Sequence, residues 1–226
     1  MGHELGRIRA LVWKDLTAER RTKANFNAVV FLAGLMLLMF GFALGPDAEA
    51  LRRAAAGILW LTVLFSGVLS FNRAFDQELQ NGALETLLLY PGDRRSIFVG
   101  KFLANVVFLL LVEAFLLPAA TILYGLEIGR DFGRLAAVLV LGTVGFVALG
   151  TFYASMVSRL RAREVLLPLL LFPMLVPLLL AAVESTAGLL TGDPMGNSGT
   201  WIRLLVVFDV IFFTAAYLAF PHVIEE

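Results

Sequence analysis

The 226-residue chain has no cysteine, and its two histidines, His3 and His222, lie near its ends. Without thiols there is no disulfide, iron–sulfur cluster or thiolate zinc site. Charge is scarce as well. Only 16% of residues are Asp, Glu, Lys or Arg, against roughly 25% in a soluble domain. The 18 basic and 18 acidic residues cancel, which argues against nucleic acid as a partner. A phosphate loop of the form G-x-x-x-x-G-K-S/T is also missing. The glycines of residues 41–45 and 142–150 sit in or beside apolar runs with no Lys-Ser or Lys-Thr after them. The chain therefore does not hydrolyse ATP by that route, and any nucleotide energy must come from a separate subunit.

Apolar residues are abundant, at 59% of the chain. So large an excess cannot be hidden in one globular core, and the bilayer must be the solvent. A hydrocarbon core of about 30 Å takes about 20 apolar helical residues to cross. Six stretches qualify, at about Asn25–Leu44, Ala54–Phe71, Ser96–Leu123, Phe132–Val157, Val165–Val183 and Ile202–Phe220. The predicted fold is an all-α polytopic membrane protein of about six transmembrane helices. The second span reads as short and the third as long enough to tilt. The start superficially resembles a cleavable signal, with Ala48-Glu49-Ala50 after an apolar run. Yet Glu4, Asp15 and Glu19 mix with the preceding basic residues, so the first run is expected to be a retained span.

Basic residues orient the spans. Arg7, Arg9, Lys14, Arg20, Arg21 and Lys23 precede the first span. Arg73, Arg94, Arg95 and Lys101 flank the loop between spans two and three, and Arg159, Arg161 and Arg163 follow span four. The opposite loops hold only Arg52, Arg53, Arg130, Arg134 and Arg203. Both termini are thus expected on the cytoplasmic side of a bacterial inner membrane. The outer segment Glu184–Trp201, rich in Gly, Ser and Thr, has room for a short surface helix. Within residues 1–24, Leu5, Ile8, Val12 and Leu16 fall at helical spacing, with Arg7, Lys14 and Glu19 elsewhere on the wheel. This is the pattern of an amphipathic helix lying in the inner interface, Trp13 near the headgroups. The alternative is a frayed terminus. Residues 25–226 form the six-helix transmembrane domain.

The cytoplasmic loop Asn72–Arg95 is the most informative stretch. Two short helical pieces flank Asn81-Gly82, and the second stops at Pro91. Leu84, Leu87 and Leu88 share one face. Continued backwards as one helix, Glu78, Asn81 and Glu85 share a polar face at spacings of three and four. An acidic knob docked by its apolar side on the cytoplasmic end of the bundle is what a soluble motor grips. An ordinary amphipathic re-entrant loop is the bland alternative.

Residues 57–89, GILWLTVLFSGVLSFNRAFDQELQNGALETLLL, resemble the second span and following loop of the cytochrome c maturation protein B (CcmB) family, the permease of the so-called heme exporter. The likeness continues through Pro91, Arg94-Arg95 and Gly100-Lys101, and more loosely beyond. Glu78, Gly82, Glu85 and Pro91 also match the broader pattern of ABC-2-type permeases. The resemblance implies a coupling helix, carried by Glu78, Asn81, Gly82, Glu85, Leu88 and Pro91, seated in an ABC ATPase subunit that binds ATP. It also implies a homodimeric permease core working with a heme-handling membrane protein, a small single-span subunit and a periplasmic heme chaperone in cytochrome c biogenesis. The chain itself is then non-catalytic.

Two carboxylates fall within spans. Glu113 lies about 15 Å and Asp209 about 10 Å from the outer ends of their helices. No Lys or Arg lies at similar depth to pair with either. Each is an intramembrane functional candidate, lining an outward-facing groove or contacting a partner, or else hydrogen-bonded interhelical glue. If they carry protons, the alternative class is a proton-coupled secondary transporter, although such proteins often show inverted repeats and none is evident here. Pro168, Pro173 and Pro177 mark the fifth span as a hinge or a static kink. Gly142, Gly145 and Ala148 offer a small-residue packing face. His3 and His222 fall on the cytoplasmic side, poorly placed as heme ligands. No cofactor site is expected on this chain, and heme enters as cargo or through release of a heme-loaded chaperone.

Overall fold

A computed structural model describes residues 2–80, 93–128, 132–158, 160, 162–191 and 198–225. Among these residues the fold is entirely helical. An N-terminal helix α1 (Gly2–Thr22) is followed by six helices long and apolar enough to cross a membrane. These are α2 (Ala24–Leu44), α3 (Ala48–Gln80), α4 (Arg95–Tyr124), α5 (Phe132–Val157), α6 (Arg163–Thr191) and α7 (Ser198–Glu225). Six spans follow from the chain as expected. Helix α5 is the centre of the bundle and touches α3, α4, α6 and α7, while α2 lies at the periphery against α3 and α4.

Three spans are longer than the hydropathy pattern suggests, among them the sixth, α7, with 28 residues. The second is one unbroken helix of 33 residues, because the polar stretch after Phe71 keeps helical hydrogen bonding beyond the apolar run. The fifth continues through residues 184–191, read from sequence as outer loop. Glu184 is exposed there, but Ser185 and Thr186 are buried. The Ser185 hydroxyl donates to the Ala181 carbonyl at 2.7 Å. A hydroxyl bonded back to its own helix is self-sufficient in an apolar setting. Polarity that reads as loop is therefore compatible with a buried helix.

Helix ends are set by specific residues. Lys23 separates α1 from α2 in a left-handed conformation, φ +52°, a geometry that turns the chain sharply. From the last turns of α1, Glu19 Oε1 accepts the Phe26 N–H at 2.7 Å. That satisfies one orphan donor at the start of α2 and complements the helix dipole. Asp47 Oδ1 caps α3 by accepting the N–H groups of Glu49 and Ala50 at 3.0 and 3.1 Å. Gly125, φ +61°, ends α4. Its carbonyl accepts from Arg52 Nε at 3.1 Å, tying the start of α3 to the end of α4.

The interior is a set of aromatic rings seated over glycines. Trp60 of α3 lies on Gly142 of α5. Further along, Phe146 lies on Gly67 and Phe71 on Gly150, the two rings meeting edge-on at 5.2 Å. A Cβ at any of these glycines would collide with the facing ring. With no hydrophobic drive between helices in lipid, such close packing is what holds spans together. Buried polar links add to it: Trp60 Nε1 to Thr186 Oγ1 at 3.0 Å, Asn105 Nδ2 to Thr151 Oγ1 at 3.1 Å, and Tyr124 OH to the Leu37 carbonyl at 2.8 Å. On α6 the buried stripe is Leu167, Leu171, Leu175 and Leu178. Pro173 and Pro177 face outward, and the helix runs unbroken past all three prolines. Their missing N–H groups thus fall away from the packed face.

Candidate functional site

The coupling loop is only partly described. Glu78 sits in the last turn of α3, with its side chain outside what is described. Asn81, Gly82, Glu85, Leu88 and Pro91 lie outside the described residues. Beyond them the chain re-enters the fold at Asp93. The Asp93 carboxylate accepts the Arg95 N–H at 2.9 Å, and its carbonyl accepts from Ser96 Oγ at 2.7 Å, which starts α4.

The N-terminal helix packs against that start. Leu11 is buried among Ile97 and Phe98 of α4 and Ala216 and Phe220 of α7. Trp13, 69% exposed, points away from the bundle. Lys101 differs from its reading as a loop-flanking cation. Its side chain is 5% exposed and its Nζ stands 2.9 Å from Asp15 Oδ2. Arg95 lies over the Tyr217 ring, 5.3 Å from its centroid, so a further cation at this end is held by a specific partner.

The two intramembrane acids converge on one stretch of α5. Glu113 of α4 is 4% exposed, and Thr143 Oγ1 donates a hydrogen bond to its Oε1. Asp209 of α7 is 7% exposed. Its Oδ1 lies against Gly145, where a Cβ would collide with it and come within 2.6 Å of Leu178 Cδ1. Thr143 and Gly145 are two residues apart, about 200° around the helix, so the acids press on opposite sides of α5. Among the described residues, Glu113 Oε2 and both Asp209 carboxylate oxygens lack a hydrogen-bond partner. Both acids are buried between helices rather than open to a groove. A cleft between α2 and α4 is lined by apolar residues such as Ala33, Leu37, Val112 and Phe115, and neither acid reaches it.

Gly142 and Gly145 pack closely as the small-residue face suggested, but against different neighbours. Gly142 takes Trp60, and Gly145 takes Asp209 with Leu178. Gly67 and Gly150, with their facing rings, carry no packing signal in the sequence, since an isolated glycine in a span does not announce its partner. The exposed His222 lies in the last turn of α7. Among the described residues, no three His, Cys, Asp or Glu side chains gather as a metal site.

Comparison with known proteins adds what the geometry does not. The family model described as CcmB protein matches residues 7–226. "Heme exporter protein B" of Rhodobacter capsulatus is 32% identical over 177 residues, covering 78% of this chain and 81% of that one. Its namesake in Paracoccus denitrificans is 32% identical over 189 residues, covering 83% and 86%. The Haemophilus influenzae protein of that name is 31% identical over 181 residues, covering 79% and 81%. Near full-length agreement, on a chain of six membrane-spanning helices, means that this chain belongs to the CcmB protein family.

Proposed function

We propose that the chain is the membrane-spanning subunit of an ATP-driven heme exporter that serves cytochrome c biogenesis in the bacterial inner membrane. The observation that carries this reading is the family match over residues 7–226 of a six-span chain. The chain is non-catalytic. A separate ABC ATPase subunit binds and hydrolyses ATP, and both termini of the permease face it from the cytoplasm. Residues 72–95 form the coupling segment, with Glu78, Asn81, Gly82, Glu85, Leu88 and Pro91 at the contact. The permease works as a homodimer beside a heme-handling membrane protein, a small single-span subunit and a periplasmic heme chaperone. Heme moves as cargo, or ATP hydrolysis releases the heme-loaded chaperone. The shortage of heme ligands on this chain favours the release mode.

Mild-detergent affinity purification from the native host, with mass spectrometry and a heme absorbance spectrum, tests the assembly. Recovery of an ABC ATPase together with a heme-handling membrane protein is the expected result. Recovery of the chain alone, from membranes in which other complexes survive, would overturn it. One observation favours a proton-coupled transporter as the second reading: the unpartnered carboxylate oxygens of Glu113 and Asp209 deep in the bundle.

A further inference from the structure

A lysine one or two turns inside a span ordinarily snorkels toward the headgroups. Lys101 instead turns to Asp15 of α1, which is itself half-buried at 21% exposed. Asp15 also meets Lys14 Nζ at 3.4 Å. Next to this pair α1 and α4 touch at backbone range. A Cβ placed on Gly100 would stand 2.9 Å from Leu11 Cβ. A helix that merely floats on headgroups needs neither contact.

At its other end α1 holds one residue by both of its backbone groups. Glu4 Oε1 accepts the Asp93 N–H at 3.3 Å, and the Arg7 guanidinium donates to the Asp93 carbonyl at 3.4 Å. Asp93 is where the chain arriving from residues 72–92 enters α4, whose first turn it caps. The exit of the loop is therefore gripped from two sides, by α1 and by α4. Those two helices are in turn fixed to each other through Asp15–Lys101 and Leu11–Gly100.

We infer that α1 is the positioning element of the coupling segment: Asp15 and Lys101 fix α1 to α4, and Glu4 and Arg7 hold Asp93, so that force on the segment reaches α4 undiminished. This rests on the coupling reading of residues 72–95. Residues Glu4, Arg7, Asp15 and Lys101 are positioning residues. They act through Asp93 rather than on nucleotide or cargo.

The test uses the full complex in its native membrane. The double variant Glu4→Gln/Arg7→Gln removes both charges from half-buried side chains while keeping polar groups there. It is expected to leave the membrane level and the co-purified ATPase unchanged, while covalent heme attachment to c-type cytochromes falls about five-fold or more. The swap Asp15→Lys/Lys101→Asp is expected to recover output lost in Lys101→Asp alone. Full output from Glu4→Gln/Arg7→Gln would overturn the inference. Glu85→Arg separates the two levels. Retained ATPase and full output in that variant sink the coupling reading itself. Lost ATPase there, beside full output in Glu4→Gln/Arg7→Gln, sinks only the role of α1.

Discussion

Trp60 donates its indole N–H to the Thr186 hydroxyl across 3.0 Å, joining α3 to α6 while its ring covers Gly142 of α5. The two residues are 126 positions apart, yet one side chain ties three helices. Interhelical hydrogen bonds in membranes contribute about 0.6 kcal/mol on average and at most about 1.7. Trp60→Phe keeps part of the ring contact and loses the bond. It is expected to lower resistance to SDS-induced unfolding within that range, whereas Trp60→Ala also opens the Gly142 contact and should cost more. Equal losses would mean the hydrogen bond contributes nothing beyond packing.

The paired contacts Gly67–Phe146 and Phe71–Gly150 behave as two teeth of one interface. Gly67→Ala places a methyl group where the Phe146 ring already lies, and overpacking of this kind costs about 1–3 kcal/mol. Phe146→Leu frees the space. The double variant should therefore be more stable than the sum of the two losses, with a coupling of at least about 0.5 kcal/mol. Strict additivity in a double-mutant cycle would refute the contact.

Asp209 and Glu113 differ in their surroundings, and their amide variants should differ too. Glu113→Gln keeps an oxygen that accepts from Thr143 and is expected to retain folding and output. Asp209→Asn alters a group whose oxygens have no partner among the described residues. It is expected to abolish cytochrome c assembly at normal membrane level, scored by heme-stained gels. Unchanged assembly would reduce the acid to a packing element.

Glu85→Arg reverses charge on the acidic side of the coupling segment. The expected outcome is loss of the ATPase from the purified complex with membrane insertion intact, judged by protease mapping and immunoblot. A fully functional variant would remove the basis for the coupling role.

Much of the scaffold was legible in the sequence because span length is a coarse, robust quantity. All six spans could be located from apolar runs alone. Their ends could not, where side chains satisfy themselves: Ser185 returns its hydroxyl to Ala181, so residues 184–191 carry polar side chains and still continue the helix, with Ser185 and Thr186 buried. Pairings across the chain were invisible for a different reason. Lys101 reads as a flanking cation until Asp15, 86 positions earlier, is seen beside it. Gly150 reads as one more small residue until Phe71 covers it. The acids were visible as candidates, since a carboxyl in an apolar run stands out at once. Their shared neighbour α5 was not, because nothing in a single sequence states which helix becomes central.

Helix α3 is continuous for 33 residues, about 50 Å at 1.5 Å per residue, and so outreaches a hydrocarbon core of about 30 Å. It is held to α5 at three levels, with Trp60 on Gly142, Gly67 under Phe146 and Phe71 on Gly150. A stiff rod held at three levels does not pivot on any one of them. Spread over about 16 Å of its length, those contacts make α3 and α5 one stiff body, so a displacement at either end of α3 carries α5 with it. Nothing needs to travel through the bilayer for a push on one side to be felt on the other.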